Sequence, residues 1–235
     1  MYNVTINQIA KEMGCSYEGP EGIVKAIEAG AVAVASEEAI DNPSIGCVRI
    51  QDGQAFIQDL GRWCRARFEG PVIAITGSQG KTSTKDLLAQ VCQQSHQVVV
   101  TKENQNNELG MPLTLTRLDE ETQILIVEMG MTGFGEIDFL CQIARPTHAI
   151  ITGIGMVHAE YLGSQQGIAR AKTELFKYLP ADGTVALRVK DKKLMAPYMD
   201  ECHASVVWCS DEGQGGDLIS RDTELGRDGS RFDCV

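Results

Sequence analysis

The chain has 235 residues, enough for one large domain or for one domain and a smaller companion. Its composition, 43% hydrophobic and 23% charged, is that of a soluble globular protein, and no apolar run is long enough to span a membrane. A net charge of −11 argues against general nucleic-acid binding, which needs clustered Lys and Arg, and suits an enzyme that meets an anionic substrate in a local pocket.

In chain order, residues 1–70 read as a small leading unit. Strands are expected at 4–6, 31–35 and 47–50, and helices at 7–13 and 23–29. Residues 54–67 form an amphipathic helix with Phe56, Leu60, Trp63 and Cys64 on one side, and Glu69-Gly70-Pro71 breaks the chain after it. From 72 the pattern becomes strand alternating with helix. Strands are expected at 72–76, 98–101, 124–129, 149–152, 184–189 and 206–209, with helices at 84–94 and 164–179. Continuous apolar strands of this kind belong to a parallel sheet covered by helices on both faces, so the fold class is α/β. Residues 217–221 and 230–235, around a turn at Arg227-Asp228-Gly229, read as an antiparallel hairpin. The last strand runs to Val235 with no closing element after it, the pattern of an incomplete domain.

The segment with the most chemistry is Thr76-Gly77-Ser78-Gln79-Gly80-Lys81-Thr82-Ser83, between a strand and a helix. Loop and helix-terminal N–H groups there converge on one spot and favour an anion. In such a cradle Lys81 would reach the terminal phosphates of a nucleotide, and the Thr82 hydroxyl would sit on the accompanying Mg²⁺. The general phosphate-loop pattern has four residues between its first glycine and Gly-Lys. Here that first position is Ile75 and the spacing is Gly-x-x-Gly-Lys-Thr. The bland alternative is a glycine-rich turn carrying a surface lysine.

Other candidates lie near the carboxyl ends of strands, where ligands bind in such sheets. Glu128 ends an apolar strand and reads equally well as a Mg²⁺ ligand or as a strand-end acid facing water. His158 is a loop histidine and Lys172 a helical lysine, each by itself more often structural or solvated. The amide-dense stretch 103–114, with Asn106 and Asn107, is either turn chemistry or a set of donors for a substrate. Eight cysteines (Cys15, Cys47, Cys64, Cys92, Cys141, Cys202, Cys209, Cys234) form no Cys-x-x-Cys pair and read as buried thiols of a cytoplasmic protein, and no export signal opens the chain.

In order and spacing, Gly77–Ser83, Asn104–Thr114, Glu128-Met129-Gly130, His158 and Ala171-Lys172-Thr173-Glu174 together resemble the central ATPase domain of the Mur ligases. Residues 71–235 carry the resemblance strongly and 4–35 weakly. The phrases Glu128-Met129-Gly130-Met131 and His158-Ala159-Glu160-Tyr161-Leu162-Gly163-Ser164 resemble most the branch that adds D-alanyl-D-alanine to a UDP-linked muramoyl tripeptide. The resemblance implies a shortened N-terminal domain over 1–70, an incomplete central ATPase domain over 71–235, and no C-terminal domain. It implies ATP and Mg²⁺, a monomer, and a cytoplasmic ligase of peptidoglycan precursor synthesis that works through an acyl phosphate. Gly77, Ser78, Gln79, Gly80, Lys81, Thr82, Ser83, Asn106 and Asn107 would bind the nucleotide. Thr82, Glu128 and His158 would hold metal, and Lys81, His158 and a carbamylated Lys172 would be catalytic.

Against the family pattern, Gly153 stands where an Asn is usual, and the Asp-Ser-Arg segment that helps hold UDP is missing. The expectation is a chain that keeps the phosphate site and ligates poorly or not at all. Relatives adding other amino acids, folylpolyglutamate synthases among them, and a non-catalytic nucleotide-binding module are the competing readings.

Overall fold

The structure, a computed structural model, describes residues 16–20, 33–37, 46–156, 159–211, 215–226 and 229–235. The strand expected at 4–6, the helices at 7–13 and 23–29, and His158 lie outside the described residues.

Three short strands come first: β1 (Ser16–Pro20), β2 (Ala33–Ser36) and β3 (Gly46–Arg49). They form a sheet with β3 in the middle, antiparallel to β1 and parallel to β2. Helix α1 (Gly53–Arg65) follows, capped by the Asp52 carboxylate, which accepts from the Ala55 N–H at 2.9 Å. Arg62 and Arg65 stand in its last turn, where the helix dipole favours cations.

The larger body holds β4 (Val72–Thr76), α2 (Lys81–Cys92), β5 (Val98–Val100), α3 (Gly110–Leu115), β6 (Ile124–Glu128), α4 (Glu136–Ala144) and β7 (His148–Ile151). After these come α5 (Ala159–Leu162), α6 (Gln165–Thr173), β8 (Thr184–Arg188), α7 (Lys192–Met195), β9 (Ser205–Asp211), β10 (Leu218–Gly226) and β11 (Gly229–Cys234). Eight strands make one sheet in the order β11-β10-β9-β8-β7-β4-β6-β5. Every neighbouring pair is parallel except β10 and β11, the expected hairpin. Strand order leaves β4 toward β5 on one side and toward β7 on the other, so the switch point lies at the carboxyl end of β4.

Period-two alternation gives the sheet two apolar faces. Ile73 and Ile75 of β4 and Ile124 and Ile126 of β6 pack with Leu88, Ala89 and Cys92 of α2. Val72 and Ala74, with Leu125 and Val127, face the opposite core, where α3, α4 and α6 contribute Met111, Leu115, Leu140, Ile143, Ile168 and Ala171. Helices therefore cover both faces, as the apolar strands required. Helix α1 packs on α3 and α4, and at Gly61 a Cβ would lie 2.9 Å from the Pro112 Cα.

Some elements differ from the sequence reading. Helix α2 starts at Lys81 rather than 84, which places Lys81 and Thr82 in its first turn. The helix expected over 164–179 is broken: α6 ends at Thr173 and a 3₁₀ turn covers Phe176–Tyr178. The Thr173 hydroxyl donates back to the Ala169 carbonyl at 2.9 Å, a bond that bends helices, while buried Phe176 holds the following turn to the core. Helices α3 and α4 were not expected. Gly135, at φ 82°, opens α4, and the Glu174 carboxylate accepts from the Gly135 and Asp138 amides at 2.8 and 3.1 Å. Among the described residues no helix is long and apolar enough to cross a membrane, and the seven described cysteines are free thiols.

Candidate nucleotide site

The carboxyl end of β4 runs into Gly77-Ser78-Gln79-Gly80, and α2 begins at once. Gly77 has φ 148° and lies so close to Thr152 that a Cβ would come within 1.9 Å of its hydroxyl. Gly80, at φ 78°, is the left-handed residue before the helix, a conformation open to glycine. The loop leans on the segment after β7. The Ser78 amide donates to the Gly153 carbonyl at 2.9 Å, and the Ser78 hydroxyl donates to the Gly155 carbonyl at 3.0 Å while accepting from the Gly155 amide at 2.8 Å. The Thr152 hydroxyl donates to the Gln79 carbonyl. With its crest fixed, the loop presents the first-turn amides of α2 to solvent, an anion site of the helix-terminus kind. The Lys81 ammonium folds back to the Gly77 carbonyl at 2.9 Å, beside that site. Ser83 is exposed in the same first turn.

Thr82, Glu128 and Asn106 meet across the crevice. The Thr82 hydroxyl donates to Glu128 Oε2 at 2.9 Å, and Asn106 Nδ2 donates to Oε1 at 2.8 Å. Glu128 is 2% exposed, and its amide donates to the Thr101 hydroxyl at 3.0 Å. The Thr101 carbonyl in turn accepts from the buried Lys85 ammonium at 2.9 Å. Asn107 has a different post: its side-chain oxygen accepts from the Gly110 amide at 2.9 Å, at the start of α3. No group of three or more His, Cys, Asp or Glu gathers among the described residues. A hydroxyl and a carboxylate are nonetheless the hard oxygen donors that suit Mg²⁺, which is held by one or two protein ligands and completed by phosphate and water.

Lys172, on α6, is 2% exposed. Burial pushes its ammonium down from the ordinary 10.5 to about 7, and the nearby positive charge of Lys81 adds to the shift. Burial thus favours the neutral amine over the ammonium. Beyond Asn106 opens a cleft of about 760 Å³, lined among others by Gly130, Met131, Phe134, Glu136 and Phe139.

A family model described as the Mur ligase middle domain matches residues 75–235. The chain belongs to the Mur ligase family. The UDP-N-acetylmuramoyl-tripeptide–D-alanyl-D-alanine ligase of Synechocystis is 39% identical over 184 residues, 77% of this chain and 40% of that protein. The Bacillus subtilis ligase of the same name is 34% identical, covering 93% of this chain and 47% of its own length. Among solved Mur ligases, MurF from Thermotoga maritima in complex with ADP superposes with a TM-score of 0.74 at 26% identity, over 89% of this chain and 48% of that one. The chain thus spans under half the length of these relatives. The Mur ligase resemblance read from the sequence holds, as does the α/β fold with a parallel sheet between helices.

The structure brings Gly77, Ser78, Gly80, Lys81, Thr82, Asn106 and Glu128 together at one crevice, with Lys172 buried near Lys81. Sequence reasoning did not mark Thr101 and Asp191. Thr101 had one available signal, its place at the end of the strand expected at 98–101; Asp191, whose carboxylate accepts from the Ile154 amide at 3.1 Å, had none.

Proposed function

We propose that this chain carries the nucleotide-binding and phosphoryl-transfer centre of an ATP-dependent Mur ligase that joins D-alanyl-D-alanine to a UDP-muramoyl tripeptide in the cytoplasm. The observation that carries the reading is the meeting of the Gly77–Lys81 loop with the Thr82–Glu128–Asn106 trio and buried Lys172. ATP would lie with its phosphates on the first-turn amides of α2, and Lys81 would set its charge against the terminal phosphoryl group as negative charge spreads over it. Thr82 and Glu128 would hold Mg²⁺, which supplies charge neutralisation where an anionic phosphate faces an anionic carboxylate. Asn106 fixes the rotation of the Glu128 carboxylate by donating to the oxygen that Thr82 does not use.

The carboxyl-terminal acid of the peptide would enter from the cleft beside Asn106 and Gly130, attack the terminal phosphorus, and become an acyl phosphate as ADP leaves. The amine of the incoming dipeptide then displaces phosphate and forms the amide. Lys172 suits carbamylation. Its amine reacts with CO₂ only when neutral, and the burial that favours the neutral form is a property of this fold. The carbamate would place a negative charge beside Lys81, where an ammonium is repelled.

Equilibrium titration with MgADP tests the nucleotide site. The chain binds it, Lys81→Ala loses at least about tenfold in affinity, and Glu128→Gln loses the Mg²⁺-dependent part. A native chain that binds no MgADP overturns the reading. Hydroxylamine trapping with ATP and the UDP-muramoyl tripeptide tests the transfer, since an acyl phosphate is captured as a hydroxamate. ADP formed at the same rate with and without the tripeptide counts against acyl transfer.

A further inference from the structure

The residue at 153 is a glycine, and the space in front of it is filled from another strand. Gly153 has φ 152°, and a Cβ built there would stand 2.9 Å from Arg188 Nη1 and 3.5 Å from Arg188 Cδ. Arg188 is the last residue of β8, next to β7 in the sheet, and both strands point their carboxyl ends to the same edge as the phosphate loop. The guanidinium therefore lies against the backbone whose carbonyl holds the Ser78 amide. The Ile154 amide is taken by buried Asp191, which fixes the segment from the other side.

The Arg188 side chain is exposed, and no ion pair joins it to an acid among the described residues. Its acidic neighbour on β9, Asp211, is held by Lys190 at 2.8 Å and feels Arg188 only at longer range. A guanidinium presents five donors in a rigid fork and is weakly hydrated, which makes it a phosphate binder when placed beside an anion site.

The direction of the ligand follows from the site. Thr82 and Glu128 mark the terminal-phosphate end on the β6 side of β4. The rest of a polyphosphate then extends to the opposite side, over β7 and β8, where Arg188 stands. We propose that Arg188 is a nucleotide-binding residue of this chain, contacting the phosphate nearest the nucleoside from a position that only a side-chain-free residue 153 leaves open. The inference rests on the nucleotide reading above, and Arg188 and Gly153 act as a pair: the glycine makes room and the arginine supplies the polar contact.

Titration of the 235-residue chain and its variants with MgADP and with inorganic pyrophosphate tests the pair. Arg188→Ala weakens both ligands about tenfold, the size of one charge-assisted contact, and leaves the melting temperature of the ligand-free protein unchanged because the side chain is exposed. Gly153→Asn displaces the guanidinium and weakens MgADP as well, and adding Arg188→Ala to it costs little more. A native chain that binds MgADP while Arg188→Ala binds both ligands equally well overturns the proposal and leaves the nucleotide site standing. A native chain that binds neither ligand overturns both. Loss for MgADP with none for pyrophosphate overturns the phosphate contact.

Discussion

Lys172 is the residue whose charge the fold resists most clearly. In the unfolded chain its amine holds a proton up to about pH 10.5, and in the folded chain only up to about pH 7. Between those values the unfolded state binds more protons, so folding stability rises with pH through this window, and the full penalty is present below it. Lys172→Met removes the penalty and this part of the pH slope. We expect a higher melting temperature at pH 7, by several degrees, and a difference from the native protein that shrinks toward pH 10. Thermal denaturation of both proteins across that range checks it; a difference that grows with pH excludes the assigned shift. The lysine was visible in the sequence only through its place in a family motif. Its burial was not, because a charged residue in a helix reads as solvated until the packing of α6 under the sheet is known. Gly153 stood out in the sequence only as a departure from the family pattern, and its contact with Arg188 was hidden, since 35 positions separate two residues that meet in space.

At the scale of elements, the strand–loop–helix unit is legible from sequence because its glycines, lysine and hydroxyl stand in fixed order between two apolar runs. What sequence could not supply is the second element that shapes the loop. The segment after β7 accepts or donates at Ser78 and Gln79, and Thr152 occupies the space beside Gly77. Gly77→Ala must push this segment away while holding a backbone angle unfavourable to alanine, and we expect a loss of about 2–4 kcal/mol. Urea denaturation measures it, and a loss below about 1 kcal/mol is inconsistent with the close approach. Helices α3 and α4 escaped the sequence reading for different reasons. Helix α3 is six residues long with Pro112 inside it and asparagines before it, so local signals favour a turn; α4 owes its first turn to Glu174, far along the chain.

On the scale of the whole molecule, α1 is bound to the large body through a buried arginine. The Arg65 guanidinium donates to the carbonyls of Ala144, Phe68 and Arg145, the last two at 2.7 and 2.9 Å, and so closes the end of α4. Arg65→Ala leaves these carbonyls short of donors and opens space at the α1–α4 contact. We expect about 2–4 kcal/mol of destabilisation with MgADP affinity of the folded protein unchanged, because Arg65 is remote from the phosphate loop. Urea titration and nucleotide binding on the same variant separate the two effects. The parallel order of the sheet was readable from apolar strands alternating with helices, whereas the docking of α1 depends on three carbonyls that no local pattern announces.

The short loop at Ser78 has an entropic consequence. A freestanding glycine loop gives up about 1–2 kcal/mol of backbone freedom for each residue that a ligand orders. Here hydrogen bonds to Gly153 and Gly155 order Ser78, and Thr152 holds the Gln79 carbonyl, before any ligand arrives. The ordering is part of folding and drops out of the free energy of association. In the proposed nucleotide site, a loop two residues shorter than the common pattern would then grip phosphate with fewer amides, because the fold has already set the shape of its crest.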